Sequence, residues 1–181
     1  MNLSGRLLRL FGWTVSITIP DYPKCIICVA PHTSNWDFIL GELAYTSVGR
    51  KAGFLMKDTW FFWPMGCFFR ALGGVPVPRR KPGKGSLTEL MVEKFKQSER
   101  LVIAITPEGT RSRTANWHTG FLHMARQAEV PIALGVLDCE HRRILIEKVF
   151  EPTGDVEADM RAIKDYYSPF KGINPDKFTT E

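Results

Sequence analysis

The sequence lacks an uninterrupted apolar run of the roughly 20 residues that a bilayer-spanning helix requires. Its first residues also lack a long apolar stretch closed by a small-residue cleavage site, so no secretory leader is expected. A membrane partner is therefore expected to be met from one side, by a cytoplasmic protein held peripherally on the inner face of the cell membrane. Cysteine is scarce, at four residues: Cys25, Cys28, Cys67 and Cys139. The single CxxC, Cys25 to Cys28, lies in an apolar run that reads as a strand, where residues three apart face opposite sides. With no second CxxC to complete a zinc site, no metal is expected, and all four cysteines are read as buried, reduced thiols. No internal repeat or low-complexity tract divides the 181 residues, which read as one domain with a sizeable core. Acidic residues are outnumbered, 19 against 24 Lys and Arg, leaving a formal net charge of +5. That excess favours anionic partners: nucleic acid, phosphorylated metabolites or an anionic membrane face. What is abundant is aromatic, and 12 Phe with 5 Trp tilt the balance toward lipid.

Apolar spacing predicts interleaved strands and helices. Leu3, Leu7, Leu10 and Phe11 recur at helical spacing with Arg6 and Arg9 turned away. Residues 1–12 thus form an amphipathic helix, either lying on a membrane surface or packed on the domain formed by residues 13–181. Strands are expected at 13–19, 25–30, 54–57, 75–78, 101–106, 131–137 and 143–149, and helices at 34–45, 86–97, 120–128 and 156–167. The two prolines of Val75–Pro78 suit a sheet edge. Trp60–Phe69 is an aromatic block too short to span a bilayer; it lines an acyl channel, dips into an interface or is a packed helix. Residues 79–85 are a basic loop and the last residues a polar tail. The alternation implies a single α/β domain with a mixed, largely parallel sheet flanked by helices.

Two loops carry chemistry. Pro31-His32-Thr33-Ser34-Asn35-Trp36-Asp37 lies between a buried strand and a helix, at the strand end where open α/β sheets bind ligands. With His32 in the loop and Asp37 in the first helical turn, the carboxylate can hold one imidazole nitrogen and leave the other basic. The plainer alternative makes Ser34 and Asp37 a capping box and His32 an ordinary loop residue. Thr106-Pro107-Glu108-Gly109-Thr110-Arg111-Ser112-Arg113 follows another buried strand and should emerge at a similar edge. Gly109 permits close backbone approach, Thr110 offers a hydroxyl, and Arg111 and Arg113 can grip phosphate oxygens. The GKG segment after Pro78 is not a Walker loop, because a proline stands where the first glycine is needed.

Together these stretches resemble the glycerolipid acyltransferase superfamily, which includes glycerol-3-phosphate and lysophosphatidic acid acyltransferases. His32 and Asp37 fit its HxxxxD motif, Gly73-Gly74-Val75-Pro76-Val77-Pro78-Arg79 resembles its second motif, and Pro107–Ser112 matches PEGTRS. Val130-Pro131-Ile132 resembles the fourth motif, so the order and spacing agree across roughly residues 30–137. Pro76 and Pro78 depart from the second motif, and His118 stands near Gly120 where many members carry a lysine. The resemblance implies a glycerol-3-phosphate acyltransferase-like fold and direct acyl transfer from acyl-CoA or acyl carrier protein to a lysophospholipid hydroxyl, with no cofactor. It implies His32 as general base, Asp37 fixing its tautomer, Arg79 and Arg111 on the acceptor phosphate, and Glu108, Gly109 and Thr110 building that site. Rival readings are a lyso-aminolipid acceptor, a thioester or lipid hydrolase, and a non-catalytic basic module. The absence of GxSxG weakens the serine esterase, and no nucleic-acid motif accompanies the basic loop, so nucleic acid is not an expected partner.

Overall fold

Lys24–Ala30 is apolar at every position after its first, the pattern of a strand covered on both faces, and it is the central strand β2 of a seven-stranded sheet. A computed structural model describes residues 2–77 and 86–181; the basic loop with Arg79 lies outside the described residues. The other strands are β1 (Thr14–Ile17), β3 (Gly53–Lys57), β4 (Gly74–Val77), β5 (Leu101–Ile105), β6 (Ile132–Asp138) and β7 (Arg143–Phe150). The helices are α1 (Leu3–Leu10), α2 (Trp36–Ser47), α3 (Met65–Ala71), α4 (Leu87–Gln97), α5 (Gly120–Ala128) and α6 (Val156–Tyr167). Across the sheet the order is β1-β7-β6-β2-β5-β3-β4, parallel throughout except for the β6–β7 hairpin. The expected mixed, largely parallel sheet is what forms, with β4 at one edge.

Strand alternation sorts the core into two layers. Ile26 and Cys28 face α4, α5 and α6, packing with Phe95, Phe121 and Ile163. Cys25 and Ile27 face the opposite side, against Tyr45 of α2. The two CxxC sulfurs are thus on opposite faces, and burial pushes their thiols up, Cys25 to about 11 and Cys28 beyond the ordinary range. The expectation of four buried thiols is corrected: Cys67 is exposed on the outer side of α3, and Cys139 is only half-buried where the β6–β7 turn begins.

Helices α1, α2 and α3 form the layer on the Cys25 side. Leu8 of α1 is 2% exposed and packs with Ala44 of α2 and Leu137 of β6, and Asn2 Nδ2 donates to the Thr46 carbonyl at the far end of α2. The Leu8 side of α1 is thus turned onto the domain, while Leu3, Leu7, Leu10 and Phe11 stay exposed. For α3 the register decides: Phe54, Gly74 and Ala104 share one face of the sheet, and Phe54 stacks edge-on against Phe38 of α2 at 4.6 Å. A Cβ on Gly74 would lie 2.8 Å from the Phe69 carbonyl of α3, so α3 sits on that same face, as right-handed crossovers require. Strands β2 to β6 end their parallel run at a common edge, through Ala30, Lys57, Val77, Ile105 and Asp138.

Candidate active site

At the end of β2 the chain must turn into α2, and Asp37 organises that turn. Its Oδ2 accepts backbone N–H bonds from Thr33 at 2.6 Å and Ser34 at 2.7 Å, and lies 3.3 Å from His32 Nδ1. The helix begins at Trp36 and no reciprocal capping box forms, since Ser34 Oγ takes the Trp36 N–H instead. One carboxylate oxygen thus serves as both loop clamp and imidazole partner, and the two readings of the motif merge. The Asp37 side chain is 1% exposed and that of His32 is 15% exposed. With Nδ1 engaged by a carboxylate, Nε2 is the basic nitrogen, and it has no hydrogen-bond partner among the described residues. Asp37 Oδ1 is buried without a partner.

The second loop meets the first because β5 pairs with β2 in parallel and both chains leave the sheet at the same edge. Glu108 Oε1 accepts the His32 backbone N–H at 2.8 Å. Glu108 is buried there, and its contact is the backbone of the His32 loop. Burial drives its pKa up to about 8, with the His32 N–H lowering it and the nearby Asp37 charge raising it. Gly109 has φ +63, and a Cβ there would lie 2.5 Å from the ring of His118, so the position excludes side chains twice over. Thr110 Oγ1 accepts from the Ser112 N–H at 3.1 Å, which curls the loop and leaves Arg111 exposed, without a partner among the described residues.

Two contributors escape sequence reasoning. The polar tail is a strap across the His32 loop: Asn174 donates its backbone N–H to Thr33 Oγ1 at 3.1 Å and its side-chain amide to the Thr33 carbonyl at 3.0 Å. A Cβ on Gly172 would lie 2.7 Å from Thr33 Oγ1, so the strap runs close. At the end of β6, adjacent to β2, a second pair occurs: His141 Nδ1 is 2.9 Å from Asp138 Oδ2, which also accepts two bonds from Arg143. Among the described residues no three His, Cys, Asp or Glu side chains converge as metal ligands would.

Comparison with known proteins bears on this edge. A sequence model of a family described as Acyltransferase matches residues 17–133, a span that contains both loops. The 1-acyl-sn-glycerol-3-phosphate acyltransferases of Salmonella typhimurium and Salmonella typhi are each 30% identical to this chain over 142 residues. That stretch covers 72% of the chain and 55% of each relative, so the chain spans about half the length of these curated proteins.

Proposed function

The chain belongs to the Acyltransferase family, and from that premise we propose that it transfers a fatty acyl group from a thioester to the hydroxyl of a lysophospholipid such as 1-acylglycerol-3-phosphate. The observation that carries the reading is the His32–Asp37 pair, with a buried carboxylate on Nδ1 and Nε2 left basic at the carboxyl edge of a parallel sheet. In the reaction His32 Nε2 removes the acceptor hydroxyl proton as the oxygen attacks the thioester carbonyl carbon. A C–O bond forms, the C–S bond breaks, and the imidazolium returns its proton to the departing thiolate. Asp37 stabilises that imidazolium; its unpartnered Oδ1 leaves the buried anion under-compensated, which strengthens the pull on a positive ring.

Glu108 acts in this reading as a brace on the His32 backbone, and Arg111 with Arg79 holds the acceptor phosphate through the loop that Gly109 and Thr110 shape. The donor is acyl-CoA or acyl carrier protein, and the scheme uses no metal or other cofactor. No helix of the described residues is long and apolar enough to cross a membrane. The acceptor is reached by peripheral docking on an anionic inner membrane face through α1, which makes residues 1–12 the docking segment and 13–181 the catalytic domain.

The test is an assay of the purified chain with acyl-CoA and with acyl carrier protein against a panel of lyso-acceptors, including lyso-aminolipids, read by mass spectrometry. Acyl groups appearing on a phosphate-bearing lysolipid support the proposal. Free fatty acid formed at the same rate with and without acceptor makes the protein a hydrolase and overturns it. Arg111→Lys should raise KM for the phosphate acceptor about tenfold while moving KM for the donor little, because a planar guanidinium fork is poorly replaced by an ammonium. Equal shifts for both substrates remove Arg111 from the acceptor site.

A further inference from the structure

The two helical layers differ in their outer surfaces. On the α4–α6 side the outward residues are mostly polar, among them Glu93, Lys94, Lys96, Arg126, Arg161 and Asp165, with Leu87 and Leu90 of α4 the large apolar exceptions. On the α1–α3 side large apolar residues are exposed in greater number: Leu7, Leu10, Trp36, Ile39, Trp63 and Phe68 are among them. The extreme is α3, whose inner side is Gly66 and Phe69 and whose outer side is Cys67, Phe68 and Ala71, preceded by Pro64 and by Trp63 at 84% exposure. A helix apolar on both sides, save for Arg70 in its last turn, suits an apolar environment on both sides. Scattered exposed apolar residues need no explanation, but here they concentrate on three neighbouring helices of one layer.

Charge on that layer selects the occupant. Its acids are withdrawn: Asp37 is buried and Glu42 half-buried, where burial raises its pKa. Asp58, in the turn before α3, is half-buried as well. The bases are exposed: Arg6 and Arg9 on α1, Lys57 at the end of β3, and Arg70 on α3, with its guanidinium 5.3 Å over the Phe61 ring. Aromatic and leucine side chains among exposed arginines, with no exposed acid on the three helices, fit the headgroup boundary of an anionic bilayer. We propose that the whole α1–α2–α3 face docks on anionic lipid, with the Trp60–Phe68 segment as a second insertion point beside α1. This extends the membrane partner proposed above from one helix to a face, and holds whichever reaction the site performs. Because the aromatic turn follows the carboxyl end of β3, insertion there sets the His32 edge beside the membrane rather than facing bulk water.

The experiment measures binding of the intact chain to vesicles of phosphatidylglycerol and phosphatidylcholine, for wild type, Trp63→Ser/Phe68→Ser and Leu7→Ser/Leu10→Ser, each checked for folding by melting. Wild type should bind anionic vesicles and be released by salt, and each double variant should bind at least about tenfold more weakly. Loss in the α1 variant alone overturns the face proposal and leaves α1 as the anchor; failure of every form to bind overturns both. Should the α3 variant misfold, a nitroxide on Cys67 of the wild-type chain reads the same contact. Its oxygen accessibility rises on vesicle binding if α3 enters lipid, and an unchanged aqueous value overturns the proposal. A concentration-dependent dimer that Trp63→Ser/Phe68→Ser makes monomeric assigns the face to a second copy and overturns it too. His32→Ala should bind vesicles like wild type, so a failure of the chemical reading shows separately, in turnover.

Discussion

Two histidine–carboxylate pairs stand on adjacent strands of the same sheet edge, His32–Asp37 after β2 and His141–Asp138 after β6. Distance alone favours the second, at 2.9 Å against 3.3 Å. The difference lies in what else holds each carboxylate. Burial pushes Asp138 up, but bonds from Arg143 and His141 overcome it, and the carboxyl sits below its usual range. Its charge is neutralised by a guanidinium before the histidine is considered. Asp37 is held by two backbone amides, which are dipoles, and no Lys or Arg pairs with it among the described residues. No cation competes with an imidazolium there, so in the proposed reaction the base is distinguished by what its carboxylate is not bonded to.

The largest effect should come from His32→Ala, a loss on the order of 10²-fold or more in kcat with the fold intact. A well-folded His32→Ala with near wild-type turnover would erase the distinction between the pairs. Asp37→Asn keeps an acceptor for the Thr33 and Ser34 amides and removes the charge. It should lower kcat by at least about tenfold while costing no more than about 2 kcal/mol of stability. A sharp fall in melting temperature with normal turnover per folded molecule would make Asp37 a structural clamp only.

How this edge was legible follows from sequence distance. His32 and Asp37 are neighbours in one loop, so their spacing carries their meeting. Glu108 was recognisable as part of a motif, yet its contact with His32 was not, because the partner is a backbone amide 76 residues away that no side-chain pattern marks. The β2 strand was plain from an unbroken apolar run, while its neighbours β5 and β6 are set by chain crossovers that periodicity does not encode. The tail read only as polar, and nothing in its pattern marks Asn174, which closes on Thr33 across 141 residues. The aromatic block left three readings open because the same residues pack inward through Phe69 and face outward through Trp63 and Phe68.

A third carboxylate sharpens the contrast through pH. Glu108 holds its proton to about 8 in the folded chain, against an ordinary value of 4.5. Between those values the folded state binds a proton that the unfolded state has released, so this group's contribution to stability falls as pH rises through the window. The slope is at most about 1.4 kcal/mol per pH unit. Glu108→Gln retains an acceptor for the His32 N–H and should flatten that slope in denaturation measured from pH 5 to 9. In the wild type, ionisation above about 8 sets a second anion near Asp37, and turnover should decline there more than in Glu108→Gln. Identical pH profiles for stability and turnover in both forms would show that Glu108 is not titrating at the site.

The smallest effect is expected at the second pair. The His141 side chain is 60% exposed, and its tie to the core among the described residues is a carboxylate that Arg143 already neutralises. His141→Ala should therefore change kcat and KM by less than about twofold, since an exposed ring with a compensated partner has little charge to stabilise. Arg143→Met is the complementary change. It removes two bonds from Asp138 and leaves a buried carboxylate held by a histidine ring and backbone N–H without a guanidinium, closer to the first pair. Melting temperature should fall by several degrees, because a buried anion loses its strongest partner. Turnover per folded molecule should hold, since Asp138 organises the β6–β7 turn and not the acceptor hydroxyl. If His141→Ala instead loses activity on the scale of His32→Ala, the closer pair is the working one, and the general base moves from β2 to β6.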